Sequence, residues 1–419
     1  MQQARNIVAF VVLLTGLSFA QNLTTSDQET IRLLVQQVKE LQEKVKTLEG
    51  KQAGPSTAAP EASVPSHAMA ESGVETASMP TDIHDLRGIQ WRGFGEFNYK
   101  ALDQRQPELG TFGFVPGSAG NFYTGDFDLF LTSRINDKTS VLAEIVIGEG
   151  DAQSFDVDLE RVLLKYDYND HLKMSFGRYH TGIGYYNTAF HSGKWLQTTA
   201  DRPLIMEFAN DGGLLPTQAV GVSVTGSIPS GGLGLNYIAE YGSSDTIRPD
   251  TSGETEDDEN NGNHINVGLF VKPDMFPGLQ IGGSVYHDKI SDFARGPSVR
   301  LRQTIVNAHV VYIARGYEFL GEGFLIRHAY EQHGPVYNTS AFYSQFSKSF
   351  GKFRPYFRYQ YINANQNSIF EDVSLRHGPS FGLRYDFNDN LAFKTQLDHT
   401  IRTGLPDLNG VQSQLAFTF

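Results

Sequence analysis

The sequence predicts an all-β fold: an antiparallel transmembrane β-barrel of sixteen strands, preceded by a short coiled-coil helix and a disordered linker. Three observations predict it. The first is strict period-two alternation between Gly351 and Phe419. Phe353, Phe357, Tyr359 and Tyr361 share one face of their segment, and Lys352, Arg354, Tyr356, Arg358 and Gln360 share the other. Leu375, Phe381, Leu383, Tyr385 and Phe387 then oppose Arg376, Ser380, Gly382, Arg384 and Asp386; Leu391, Phe393 and Leu397 oppose Lys394, Gln396 and Asp398. The last segment sets Val411, Ser413, Leu415, Phe417 and Phe419 against Gln412, Gln414 and Thr418. Alternation over about ten residues, apolar on one side and charged on the other, suits a strand between lipid and a watery lumen. A soluble sandwich also alternates, but its strands run nearer five or six residues. The aromatics here gather near strand ends, as in interfacial girdles.

The second observation is that no stretch after the first twenty residues is long and apolar enough for a spanning helix, which needs about 20 residues. Insertion must therefore be by strands. The third is the alternation of short and long connections described below.

Taken in order, residues 1–20 read as a secretory signal, with Arg5 in the n-region, an apolar core from Ile7 to Leu17, and Ser18-Phe19-Ala20 before the cleavage point. Residues 21–50 hold a helix. Ile31, Leu34, Val38, Leu41, Val45 and Leu48 recur at spacings of three and four, a heptad seam with β-branched residues at a and leucines at d. A parallel coiled coil is the favoured reading; the alternative is an amphipathic helix packed on its own barrel. Residues 51–85, rich in Ala, Pro, Ser, Thr and Glu, cannot bury a core and form a linker. The helix then lies in the periplasm. The absence of cysteine fits an exported protein that relies on a large barrel instead of disulfides.

The barrel occupies residues 86–419. Its strands are expected over 89–99, 121–134, 139–149, 155–168, 171–179, 218–227, 232–241 and 263–272. The second eight run over 278–287, 302–313, 316–327, 337–348, 351–361, 374–386, 390–401 and 411–419. Short links such as Asn136-Asp137-Lys138, Asn169-Asp170 and Asn388-Asp389 alternate with longer ones, of which 180–217 is the longest. Short turns on one side and long loops on the other is the outer-membrane arrangement. An even strand count returns both ends of the barrel to the periplasmic side.

Over residues 89–419 the chain resembles the bacterial outer-membrane porins: sixteen strands, a terminal Phe419 on an aromatic-alternating last strand, and the longest loop placed third. The signal, heptad helix and Ala/Pro linker resemble the branch containing the phosphate-selective O/P-type and dicarboxylate porins. The resemblance implies a homotrimer, a third loop folded into the lumen, and a terminal strand read by the barrel-assembly machinery. The arginine ladder and lysine cluster of the phosphate porins do not map onto particular positions here, so phosphate selectivity gains no support.

The third loop is the expected pore constriction, through His180, Tyr185, Tyr186, His191, Lys194, Asp201, Arg202 and Glu207. A loop this long is functional or disordered, and its aromatic content argues against disorder. The lumen charges are expected to be Arg354, Arg358, Arg376, Arg384 and Lys394 on the late strands, with Glu96, Asp126 and Asp128 on the early ones. First and last strands are neighbours in a closed barrel, so the two sectors are not simply opposite. A basic wall with acidic residues elsewhere still sets up a transverse field, and the basic wall alone implies a mild anion preference. The alternative is a salt-bridged wall that holds the barrel open and interacts little with solutes. Much of the net charge of −13 lies elsewhere, in the acidic stretch Asp245 to Asn260, whose spacing fits no EF-hand.

No cofactor or metal is expected, and no nucleophile elbow, HExxH or basic nucleic-acid patch appears. The function read from the sequence is passive diffusion of small hydrophilic or charged solutes, small anions among them. The expected partners are outer-membrane lipid, lipopolysaccharide and peptidoglycan, with no nucleic acid. Two other readings stay open: a structural or adhesive barrel tethered by the coiled coil and, more weakly, a barrel hydrolase.

Overall fold

The computed structural model describes residues 88–104, 119–149, 155–191, 193–207, 213–244, 263–292, 299–331, 334–365, 367–370 and 373–419. The signal, heptad seam, linker and the acidic stretch fall outside the described residues.

Sixteen antiparallel strands close into a barrel. They are β1 (Gln90–Leu102), β2 (Ala119–Asn136), β3 (Thr139–Glu149), β4 (Phe155–Asn169), β5 (Leu172–His180), β6 (Gln218–Ile228), β7 (Leu235–Ser244) and β8 (His264–Val271). The second eight are β9 (Leu279–Ser291), β10 (Arg300–Ala314), β11 (Tyr317–Tyr330), β12 (Val336–Lys348), β13 (Phe353–Asn363), β14 (Leu375–Asn388), β15 (Leu391–Arg402) and β16 (Leu408–Thr418). Each strand pairs with its neighbours in sequence, and β1 pairs with β16 from Phe94↔Thr418 to Leu102↔Gly410. Closure leaves no strand edge, which is what backbone needs where no water can satisfy its polar groups. The terminal Phe419 completes the seam: its N–H donates to Gly93 O at 3.0 Å, and its ring stacks 5.5 Å from Phe127.

The alternation read from the late strands sets the two faces. Phe353, Phe357, Phe381, Phe393, Leu397 and Phe419 are exposed on the outside, while Arg354, Arg358, Arg384, Lys394, Gln412 and Gln414 are buried inside. The outer apolar band continues around the barrel through Val157, Val220, Ile265, Val267, Val285, Val306 and Leu325. Contiguous exposed apolar surface of this kind needs an apolar solvent.

The inside departs from the expected pattern on β10–β13. Ile305, Val311, Leu320, Phe324, Ile326 and Ile362 point inward between polar neighbours such as Gln303, Asn307 and Glu322. They join Ile183, Phe190, Ile205, Met206, Leu214 and Leu215 of the third loop in one buried cluster. An apolar side chain faces inward there because the inserted loop, not water, is its neighbour. Burying such residues gains about 1.5–3 kcal/mol each, so the loop and this wall stabilise each other.

Candidate functional site: the loop inside the barrel

The connection from β5 to β6 enters the barrel and crosses it. Its ends are pinned together, Thr181 N–H donating to Thr217 O at 2.9 Å. Asn187 Nδ2 bridges both ends, donating to Thr181 O (2.8 Å) and Thr217 O (2.9 Å). The sequence suggested a stretch without regular structure. The structure instead places a short helix, α1 (Tyr185–Phe190), and a 3-10 turn at Leu204–Met206 within it.

The first part of the loop meets carboxylates. Gly182 N–H donates to both oxygens of Glu240 on β7, at 3.0 and 2.9 Å. Tyr185 and Tyr186 donate their N–H groups to the two oxygens of Glu322 on β11, at 2.7 and 2.8 Å. Glu322 also accepts the Tyr343 hydroxyl at 2.6 Å. The N–H groups that open a helix have no partner within it, so a carboxylate at that end satisfies them. Gly184 makes the approach possible: its φ is +83°, and a Cβ there would stand 2.5 Å from Glu322 Oε2. Farther along, Gly193 N–H donates to Asp128 Oδ2 at 2.9 Å and Thr198 Oγ1 to Glu318 at 2.8 Å.

The second part meets cations. Arg384 Nη1 donates to Trp195 O (2.7 Å) and Gln197 O (2.9 Å), with its guanidinium 5.6 Å from the Trp195 ring centroid. Lys394 Nζ donates to Lys194 O, to Thr199 O at 3.0 Å and to Gln414 Oε1 at 2.8 Å. Arg358 binds the Asp201 carboxylate and also donates to Asp201 O at 3.0 Å. Gln396 and Gln412 donate to the same carboxylate at 2.7 and 2.9 Å. Burial alone would raise the Asp201 carboxyl, but the Arg358 guanidinium overrides it and holds Asp201 below the ordinary range.

The expected site residues thus separate into groups. Lys194 leans toward Glu96 (3.8 Å) and Asp126 (3.7 Å); burial would lower its ammonium, but these two carboxylates raise it. Arg202 holds the loop to itself, donating to Met206 O (2.7 Å) and His191 O (2.9 Å) beside the Tyr186 ring. Tyr185 and Tyr186 are buried, which raises both phenols. His180 and His191 stack with centroids 3.5 Å apart, and Glu207 is half-buried where the described stretch ends.

Arg354 pairs with Glu318 at 3.6 Å. Arg376 Nε donates to Val373 O at 2.9 Å. The expectation of a basic wall turned to water needs correction. Arg358 and Lys394 are 0 % exposed and Arg384 is 3 % exposed, because the loop's carbonyls and Asp201 have replaced the water.

Several residues of the site escaped the sequence reading. Glu318 and Glu322 are hidden by the mixed inner face of β11. Glu160 is hidden by a bulge: β3–β4 pairing jumps from Glu144↔Arg161 to Val146↔Asp158. The jump lets consecutive Glu160 and Arg161 both bury inward. An inward Glu or Asp opposite a glycine-rich stretch of the loop was the available signal.

No family model matches the sequence, and no curated protein matches it. Solved structures do share its shape. The anion-selective porin from Comamonas acidovorans is 12% identical with a TM-score of 0.52, the match covering 79% of this chain and 99% of that one. The Salmonella typhi OmpF complex with daunomycin is 14% identical with a TM-score of 0.51, covering 80% and 98%. The trimer form of in-vitro folded OmpT, an outer membrane protein of Vibrio cholerae, is 11% identical with a TM-score of 0.52, covering 79% and 99%. At such identity these similarities establish the closed-barrel fold.

Proposed function

We propose that the chain is a porin: a passive diffusion channel for small hydrophilic or charged solutes across a bacterial outer membrane, with residues 180–217 narrowing the pore. One observation carries this reading. The longest loop runs through the inside of a closed barrel whose outside is apolar, and charged wall residues hold it there. Rows of charge at a narrowing are how pores select ions. The fold shared with the porins named above supports the reading, and the trimer form of the Vibrio protein supports a homotrimer here.

In the same reading residues 1–20 are a signal, 21–50 a periplasmic coiled coil, 51–85 a linker and 86–419 the barrel. The localisation is the outer membrane, with lipid and lipopolysaccharide around the barrel and peptidoglycan near the helix. No reaction step or cofactor is required.

A mild anion preference follows from how the cations are bonded. Arg358 is neutralised by Asp201, but the hydrogen bonds of Lys394 all end on neutral oxygens. No bonded carboxylate cancels its ammonium, and this is the basis of the proposed preference. The test is the reversal potential of the signal-free protein in a planar bilayer under a salt gradient. Stepwise ohmic conductance with an anion-favouring potential supports the reading. Stable insertion without conductance overturns it and favours the structural barrel, a second reading to which the apolar cluster between loop and wall lends weight.

A further inference from the structure

Glu160, His180 and His191 bring one carboxylate and two imidazoles together where the loop leaves and re-meets the wall. Their ligand atoms lie within 4.8 Å of one another, and all three residues are buried. His191 Nε2 stands 2.5 Å from Glu160 Oε1 and His180 Nε2 stands 3.4 Å from it. His180 Nε2 forms no hydrogen bond in this arrangement.

The tautomer of His191 is fixed from its other side. Asn187 Nδ2 donates to two backbone carbonyls, so its Oδ1 faces His191 Nδ1 at 2.8 Å as an acceptor. Nδ1 must carry the hydrogen. In the neutral ring Nε2 then presents a lone pair to a carboxylate oxygen, a repulsive contact unless a cation lies between them.

We propose that Glu160, His180 and His191 form a divalent transition-metal site of the zinc class, with three protein ligands and one position for water. Two imidazoles and a carboxylate are a borderline-soft donor set suited to Zn²⁺. At metal–ligand distances of about 2.0–2.2 Å, tetrahedral ligands stand roughly 3.3 Å apart. His180 Nε2 and Glu160 Oε1 already have that spacing; His191 and Glu160 need to part by under ~1 Å to reach it, and the two stacked imidazoles must splay so that their lone pairs converge on the ion. The outer shell is in place: Asn187 orients His191, and Gln218 Nε2 donates to the Glu160 carboxylate. Arg161 next to the site is matched by its ion pair with Glu144, so a dication is not opposed by an unpaired cation. The metal would fasten the loop, through His191, to β4 and β5. The site depends on the seating of the loop, not on whether the barrel conducts.

The test uses the untagged full chain, refolded in detergent, stripped with chelator and titrated with Co²⁺ or Zn²⁺. The expected result is one tightly held ion per barrel, with the intense visible bands of four-coordinate Co²⁺ replacing the weak bands of the hydrated ion. Zn²⁺ should abolish those bands by competition. His191→Ala, His180→Ala and Glu160→Gln should each weaken binding at least about tenfold, while His309→Ala, a buried histidine elsewhere on the wall, leaves it unchanged. No stoichiometric binding by the wild-type chain, or equal binding by folded His180→Ala and His191→Ala, would overturn the proposal. Should those variants not fold, the wild-type Co²⁺ spectrum decides alone: octahedral bands reject the site. Conductance, measured separately, can fail while metal binding succeeds, and the reverse.

Discussion

Residues 181–190 meet β7 and β11 through backbone N–H groups, whereas residues 194–201 meet β13–β15 mainly through backbone carbonyls and the Asp201 carboxylate. The wall is matched to each: Glu240 and Glu322 accept on one side, and Arg384, Lys394 and Arg358 donate on the other. A peptide group offers a donor at one end and an acceptor at the other. Acidic and basic sectors of a barrel wall therefore grip opposite ends of the same kind of group. The difference teaches that charge on an inner wall is not a direct measure of charge offered to a solute. On the carboxylate side the grip is reinforced by apolar packing; on the cation side it is mostly polar.

The largest effect should come from the carboxylate side. Glu322→Ala strands two buried N–H groups and the Tyr343 hydroxyl at once. The loss should be roughly 3–5 kcal/mol, at about 1–3 kcal/mol per stranded partner, read as a lower urea midpoint in detergent. On the cation side, Lys394→Met removes three hydrogen bonds but leaves acceptors, which tolerate desertion better than donors. About 2–3 kcal/mol is expected, together with a reversal potential shifted away from anions. Equal losses from the two substitutions would erase the asymmetry between the sectors.

Double substitution at Arg358 and Asp201 sharpens the same contrast. The pair is internally neutral, so Arg358→Ala with Asp201→Ala should leave reversal potential nearly unchanged. The coupling energy from the cycle should be on the order of 1–3 kcal/mol. A large selectivity change in the double variant would mean that the pair faces solute and not only its own loop.

How much of this was legible in the sequence follows from the range of each interaction. Period-two alternation is local, so the faces of Arg354, Arg358, Arg384 and Lys394 were read correctly, and the strand bounds differ by at most four residues. What those side chains touch was not legible. Arg358 and Asp201 are 157 residues apart and Lys394 and Thr199 are 195 apart, and no periodicity encodes such a meeting. Reading the lumen as watery assumed that an inward charge meets solvent. The inward Leu320, Phe324 and Ile326 are where the alternation is blurred, and that blur marks the place where protein fills the barrel. Glu160 was lost for a different reason, since a bulge breaks the count that assigns a residue to a face.

Gly184→Ala is a smaller and more local test. It forces a side chain into φ +83° and toward Glu322, costing roughly 1–2 kcal/mol and loosening α1 while the cation grip stays intact. The response to acid should be smaller still. With its folded value depressed, Asp201 stabilises fully above the ordinary carboxylate value of about 3.9, and this contribution is lost as pH falls through the lower folded value. Current fluctuations in the bilayer should therefore grow as pH drops below about 4. In Asp201→Asn they should be present already at neutral pH and respond less to acid. An Asp201→Asn channel that is quiet at pH 7 and noisy in acid would assign the acid response to carboxylates other than Asp201.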